Sequence, residues 1–346
     1  MNPFFLFLYL LAAVAGCASE VEQKIATKVH SGFSLLPHTG YIVSVDKGDM
    51  VAFDSDWKER WRYSGVAGTK LWRQAQVLVN TKTQRALLIG NGIALVDFNG
   101  REVWRNAPVN GKLARDGQAV FSNDQSMFFT IQSGDIQAYS VDEGKPLWVS
   151  KSSVLEAGLS IAQTNDIVSV NVLGNMDCHS YDGIKLWTKD IPARVDAVAT
   201  ADPNKGSRMF FCNDHSTGTV DSKGNILMQG NGIRHLVTHA VCVTGHGVVA
   251  VGGEYVGFFD PAGAKLWEAE PKIGSVERVF PLSGGRFAVT SEDEGMAVYN
   301  ASGQMLLRKL EPSLISTPVI EVSKDRIAYG TVNGLIHLHN LPHEGK

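Results

Sequence analysis

Apolar residues come in short runs broken by glycine, asparagine and aspartate along most of the chain. Little of it shows the i, i+3, i+4 spacing of an amphipathic helix. Stretches such as Ile93 to Asp97 read as strands. Some strands alternate apolar and polar residues, and others are fully apolar, as expected for buried innermost strands. The punctuation is regular: an apolar strand, a glycine turn, a second strand ending in Asp or Asn, another glycine turn, then a strand ending in Trp. This predicts an all-β protein.

The same unit recurs. Clear copies end at Trp61, Trp104, Trp148, Trp187 and Trp267, and two more replace the indole by Met228 and Leu307. The spacings between these markers are 43, 44, 39, 41, 39 and 40 residues. A period of that size, made of short strands and glycine turns, is the signature of four-stranded propeller blades. An eighth copy begins near Ile327 and meets the chain end before its marker strand. Counting one period back from Trp61 reaches position 21, in the strand-like segment from Val21 to His30. The expected fold is therefore an eight-bladed β-propeller with four-stranded blades, closed by the N-terminal strand pairing beside Gly334 to His339. Seven blades with a separate N-terminal strand is the competing count. The five tryptophans are expected to lie between adjacent blades as structural repeat positions, with each indole N–H finding a partner. Asp or Asn before a glycine, as in Asp97 to Gly100 and Asp260 to Gly263, is expected to form an Asx turn. Packing is expected to be looser where Met228 and Leu307 stand.

The front of the chain is different. Phe4 to Ala15 is an uninterrupted apolar run, too short for a permanent transmembrane helix and suited to a secretory signal. Its end, Val14-Ala15-Gly16-Cys17, resembles the lipobox of bacterial lipoproteins, in which the cysteine is lipidated and becomes the first mature residue. The resemblance implies a signal peptide over residues 1–16 and lipid attachment at Cys17. Residues 17–30 then hold the lipidated N-terminus and closing strand, and residues 31–346 the propeller. A doubly or triply acylated cysteine holds a protein firmly on a membrane without spanning it. Ala18, rather than Asp, follows the cysteine, which by the lipoprotein sorting rule implies the outer membrane, periplasmic side.

Composition adds little and excludes something. With 32 Lys and Arg against 35 Asp and Glu, the net charge is −3, and no basic excess argues for nucleic acid. Besides Cys17 there are Cys178, Cys212 and Cys242, an odd count read as buried free thiols, with one disulfide as the alternative.

The order Gly, strand, Asp-x-x-Gly-x-x-x-Trp resembles the PQQ-type β-propeller repeat family. Together with the lipobox-like end and eight copies, the chain resembles the BamB-like outer-membrane assembly lipoproteins. That resemblance implies a binding scaffold with no cofactor. Its partner would be the barrel-forming subunit of an envelope complex, which carries periplasmic domains. An architectural role in a secretion or pilus machine is the alternative, since repeats specify fold better than function. Contact loops are sought between blades, for instance at 154–159, although those residues read equally as the start of the next inner strand.

No catalytic residues are assigned. A quinone-dependent redox enzyme would need neighbouring cysteines or a calcium-holding set of acids and amides, and Asp54 with Asp56 is only a fragment of one. His337 and His339 share one strand face, with His343 beyond, and His235 and His239 are four apart. Two imidazoles without a third ligand make a weak site, so no metal is expected. The acidic stretch 292–294 before Gly295 is expected at a hairpin turn. Gly90-Asn91-Gly92 and Gly252-Gly253 are turn glycines rather than phosphate loops.

Overall fold

The computed structural model describes residues 21–342, apart from 27, 38–39, 46–48, 65–75, 91, 107–118, 133–134, 152–155, 162–165, 172, 192–194, 201–207, 214 and 292–293. Among the described residues thirty-two strands form eight antiparallel four-stranded sheets, the blades of a propeller. Blades one to seven occupy residues 29–63, 76–106, 119–150, 156–190, 197–231, 239–269 and 276–310. Blade eight combines three strands of 320–340 with Val21–Lys24. The seven-blade count is thereby excluded. Val21–Lys24 pairs antiparallel with Leu335–Asn340, Val21 opposite Leu338 and Lys24 opposite Leu335, where the period placed it. No helix among the described residues is long and apolar enough to cross a membrane.

The molecule has eight cores, one per blade interface. Ala86 and Leu88 pack toward blade one with Ile42 and Met50, while Leu87 and Ile89 of the same strand pack toward blade three with Phe128 and Tyr139. Strand side chains alternate between faces, and each middle strand has a neighbouring blade on both, so both sets must be apolar. The adjacent pairs Phe128–Phe129, Phe210–Phe211 and Phe258–Phe259 divide between interfaces in the same way. The most deeply buried strands are consequently the middle ones, such as Gly247–Gly252, and not the innermost, although the third strands of blades three and four are of mixed burial. First strands such as His239–Val243 are mixed in burial, because they line up against one another around the axis instead of lying between two sheets.

The tryptophans join blade to blade through one repeated contact. Trp61 Nε1 donates to the carbonyl of Phe98 at 3.0 Å, Trp104 to Val141 at 2.8 Å, and Trp148 to Tyr181 at 2.7 Å. Trp187 donates to Ser222 at 2.7 Å and Trp267 to Ala301 at 2.9 Å. Every acceptor is the second residue of the turn before the next blade's outer strand. Asp97 Oδ1 opens such a turn, accepting from the backbone N–H of Asn99 (2.8 Å) and Arg101 (2.9 Å). Asp54 does the same for Asp56 and Lys58, which explains that acidic pair as turn chemistry. In blades three and four the serines Ser140 and Ser180 stand in for Asp.

The turn glycine lies under the indole ring of the preceding blade. A Cβ on Gly100 would sit 2.6 Å from the Trp61 ring, and one on Gly144 2.5 Å from Trp104. Both glycines also have positive φ, 81° and 65°, a conformation that costs other residues about 1 kcal/mol or more. Position and conformation thus demand glycine independently. The outer strands continue past the tryptophan, as in Lys185–Asp190, because the blade edge still pairs with its third strand there.

Closure between blades eight and one reverses the sizes of the two partners. Val21, paired with Leu338, occupies the place that Trp61 takes opposite Ala52. Trp57 takes the place of the turn glycine, three residues after Asp54, with φ of 62°. It stacks on Tyr41 at 4.4 Å and packs against the apolar cluster shared by blades one and eight. A small residue in one partner's position is matched by a large residue in the other's.

Gly100→Ala is expected to lower unfolding stability by about 2–4 kcal/mol, combining the φ cost with the clash against Trp61. Gly263→Ala, whose nearest neighbour atom would be Thr219 Cγ2 at 3.3 Å, should cost about 1 kcal/mol from φ alone. Chemical denaturation of the two variants checks the difference; equal losses would contradict the staple.

Candidate functional site

The interface between blades seven and eight lacks the tryptophan, since Leu307 stands at that position. Apolar packing there comes from Leu282, Ile315, Val319 and Leu341, with Leu307 partly buried against them. Two polar groups are built into the same junction. Arg286 is buried, and its Nη2 donates to Glu321 Oε1 at 2.9 Å and to Ser283 Oγ at 3.3 Å, while its Nε donates to the Ser283 carbonyl at 3.0 Å. Ser283 also donates to Glu321, through its backbone N–H and through its hydroxyl, both at 2.6 Å.

The second group is the more unusual. In the register of the outer pairings, His337 and His339 correspond to Val51 and Phe53 of blade one and to Ala94 and Val96 of blade two. Ile336 and Leu338 face blade one, so the two histidines face blade seven, beside Tyr329. Their rings are parallel within 2°, with centroids 6.4 Å apart, and both stack on Tyr329. Glu311, just past the outer strand Met305–Leu310 of blade seven, reaches into the same place and is itself buried. Tyr329 Oη donates to Glu311 Oε1 and lies 2.9 Å from His339 Nε2. His337 Nδ1 is 3.9 Å from Glu311 Oε1 and 3.4 Å from Glu22 Oε1 on the closing strand, and its Nε2 is 3.3 Å from Thr331 Oγ1. One ligand-type atom from each of Glu311, His337 and His339 falls within 4.8 Å of the others. The strand pattern paired the two histidines correctly; Glu311, 26 residues earlier, carried no local signal of its role.

The other histidine pair separates. His235 stacks on Tyr255 at 5.3 Å, and His239 Nδ1 accepts from the Val279 backbone at 3.2 Å. Cys178 and Cys212 are buried free thiols, as expected, whereas Cys242 is only partly buried. Burial pushes the Cys178 thiol up to about 12 and raises Cys212 as well, so both stay protonated. Burial lowers the basicity of His179, which lies 2.9 Å from Ser150 Oγ. Glu294 and Gly295 sit at the hairpin before the strand Gly295–Asn300, where Ser291 Oγ accepts both of their N–H groups. Glu156–Ile161 forms an inner strand, so 156–159 is no contact loop. Residues 154–155, Cys17, His343 and the Met228 side chain lie outside the described set.

The outer rim carries a repeated surface feature. In blades one to seven, the pairing of the third and fourth strands skips the residue before the marker: Arg60, Val103, Leu147, Leu186, Leu227, Leu266 and Leu306. In blades one to six these bulges turn the skipped side chain outward, whereas Leu306 stays partly buried against the blade seven–eight core; all disrupt the edge, which discourages edge-to-edge association. In blades two to six the skipped residue is aliphatic and exposed, Leu266 at 57%. A series of solvated apolar side chains therefore runs around much of the circumference.

Arg286→Ala is expected to cost about 2–4 kcal/mol, because Glu321 is left partly buried without its cation. Replacing Arg286 and Glu321 together by Met and Leu should cost much less, as chemical denaturation of the two variants would show. His179 is held below the 6.5 of a free imidazole. As pH falls through that value the unfolded chain takes up a proton that the folded chain refuses, and stability drops by up to about 1.4 kcal/mol per pH unit. His179→Gln should flatten that part of the stability–pH curve relative to the parent.

No protein-family model matches the chain, and no curated protein matches it in sequence. Among solved structures it is similar to BamB from Moraxella catarrhalis, with a TM-score of 0.62 and 13% identity, covering 93% of this chain and 98% of that one. It is similar to the computationally designed protein Ika8 at a TM-score of 0.75 and 13% identity, covering 92% and 99%. It is also similar to Sqt1 from Saccharomyces cerevisiae at 0.76 and 10%, covering 93% and 98%. A designed protein and a yeast protein superpose at least as well as BamB at equally low identity, so the likeness is one of architecture: this chain has a BamB-like propeller fold.

Proposed function

We propose that the protein is a lipid-anchored scaffold on the periplasmic side of the outer membrane, a BamB-like subunit that assists the assembly and insertion of β-barrel proteins. The observation that carries this reading is the combination of a lipobox-like end, Val14 to Cys17, with a ring that matches BamB over 98% of that chain's length. Rigidity suits the role. A closed ring with eight buried interfaces presents loops and outer strands in fixed positions, which lowers the ordering cost of binding a partner. The exposed aliphatic side chains on the outer strands of blades two to six supply apolar contacts. The protein acts by binding and not by catalysis, and needs no cofactor for this role. Its partner is a barrel-forming subunit with periplasmic domains.

Affinity purification of the full-length, lipidated protein from its own envelope, with mass spectrometry of what accompanies it, tests the reading. A barrel-assembly subunit is the expected companion, and secretion or pilus components would refute it. In the same cells Cys17→Ser should move the protein from the membrane to the soluble fraction. Retention of that variant on the membrane would contradict the anchor.

A further inference from the structure

We propose that Glu311, His337 and His339 form a binding site for a divalent transition metal of the zinc class, and that Glu22 of the closing strand completes it. The donor set decides the class of ion. Two imidazoles with carboxylates suit zinc and its neighbours, whereas calcium and magnesium take oxygen alone and copper(I) prefers sulfur. The geometry is near what such an ion requires. Tetrahedral zinc with ligands at about 2.0–2.2 Å spaces them roughly 3.3–3.6 Å apart. His337 Nδ1 stands 3.4 Å from Glu22 Oε1 and 3.9 Å from Glu311 Oε1, and the widest separation within the three-residue set is no more than 4.8 Å. The widest of these separations would need to close by at most about 1.2–1.5 Å. Glu22 is half-exposed and can swing to make the last bond.

The surroundings resemble the support of a metal centre. Thr331 Oγ1 lies beside His337 Nε2, the nitrogen turned away from the carboxylates, where it can orient the ring and fix its tautomer. Tyr329 Oη, 2.9 Å from His339 Nε2, donates its one proton to Glu311 and so orients the carboxylate that would take the ion. Glu311, His337 and His339 are all buried, so an ion there would be screened little by water. Three parts of the chain would meet on that ion: the end of blade seven, the third strand of blade eight and the N-terminal strand. This is one of the three interfaces without a tryptophan staple, at the blade that the closing strand completes. The metal would act as a clasp on that strand, independently of which partner the propeller binds.

The test uses the full mature protein after chelator dialysis. Zinc is titrated by calorimetry and cobalt(II) by its visible absorption, whose intensity distinguishes tetrahedral from octahedral coordination. One equivalent of zinc, an intense tetrahedral cobalt spectrum and a zinc-dependent rise in the unfolding midpoint are expected. Glu311→Gln and Glu22→Gln should each weaken zinc binding by about tenfold or more. Zinc should also slow hydrogen exchange at residues 21–26 in the parent but not in Glu22→Gln. Because Glu22 is half-exposed, its variant keeps the fold even if Glu311→Gln does not, and the cobalt spectrum needs no variant. Absence of stoichiometric binding, a weak octahedral spectrum, or unchanged affinity in Glu311→Gln would overturn the site. Unchanged affinity in Glu22→Gln would overturn the clasp.

Discussion

The ring depends on one contact made five times: a half-buried indole lying on the turn glycine of the next blade and donating its N–H to that turn's carbonyl. Covering roughly 100 Å² of indole is worth about 2 kcal/mol, and the hydrogen bond about 1 kcal/mol more. The contact also sets register. An indole that must reach a carbonyl 33–37 residues ahead fixes the rotation of each blade against the next. The glycine, the turn-opening Asp, Asn or Ser and the bulge before the tryptophan all serve that geometry, which is why they recur together.

Three interfaces manage without it, each by a different substitution. Between blades five and six, where Met228 replaces Trp, the Thr217 and Thr219 hydroxyls donate to the carbonyls of Gly263 and Ala262 at 3.3 and 3.5 Å. Between blades eight and one, Trp57 takes the glycine's position and Val21 the tryptophan's. Between blades seven and eight, Arg286 with Glu321 and the group around Glu311 replace an apolar contact with buried polar ones. Such groups stabilise only when their partners are all in place. The metal site proposed at this junction would place a ligand beside the closing strand.

Much of the architecture was legible before any coordinates. A period near 40, seven markers followed by an eighth partial copy, and an unassigned strand one period before Trp61 led to the closed ring, because blade repeats are local and their arithmetic survives substitution. The expectation that fully apolar strands are innermost failed for a physical reason. Burial on both faces belongs to the middle strands, which lie between two sheets, whereas the first strands meet around the axis. The contact segment sought at 154–159 was equally a matter of register: from Glu156 onward it pairs within blade four.

The sequence by itself determined the strand composition, the blade count, the Asx turns and the shared face of His337 and His339, all consequences of spacing along one segment. Only the tertiary structure decided what meets across a blade interface. Glu311, Tyr329 and Glu22 converge on those histidines from positions separated by up to 317 residues, and Trp57 compensates Val21 across the closure. Such pairings depend on which strand faces which neighbour once the ring is closed, a distance that no local periodicity records.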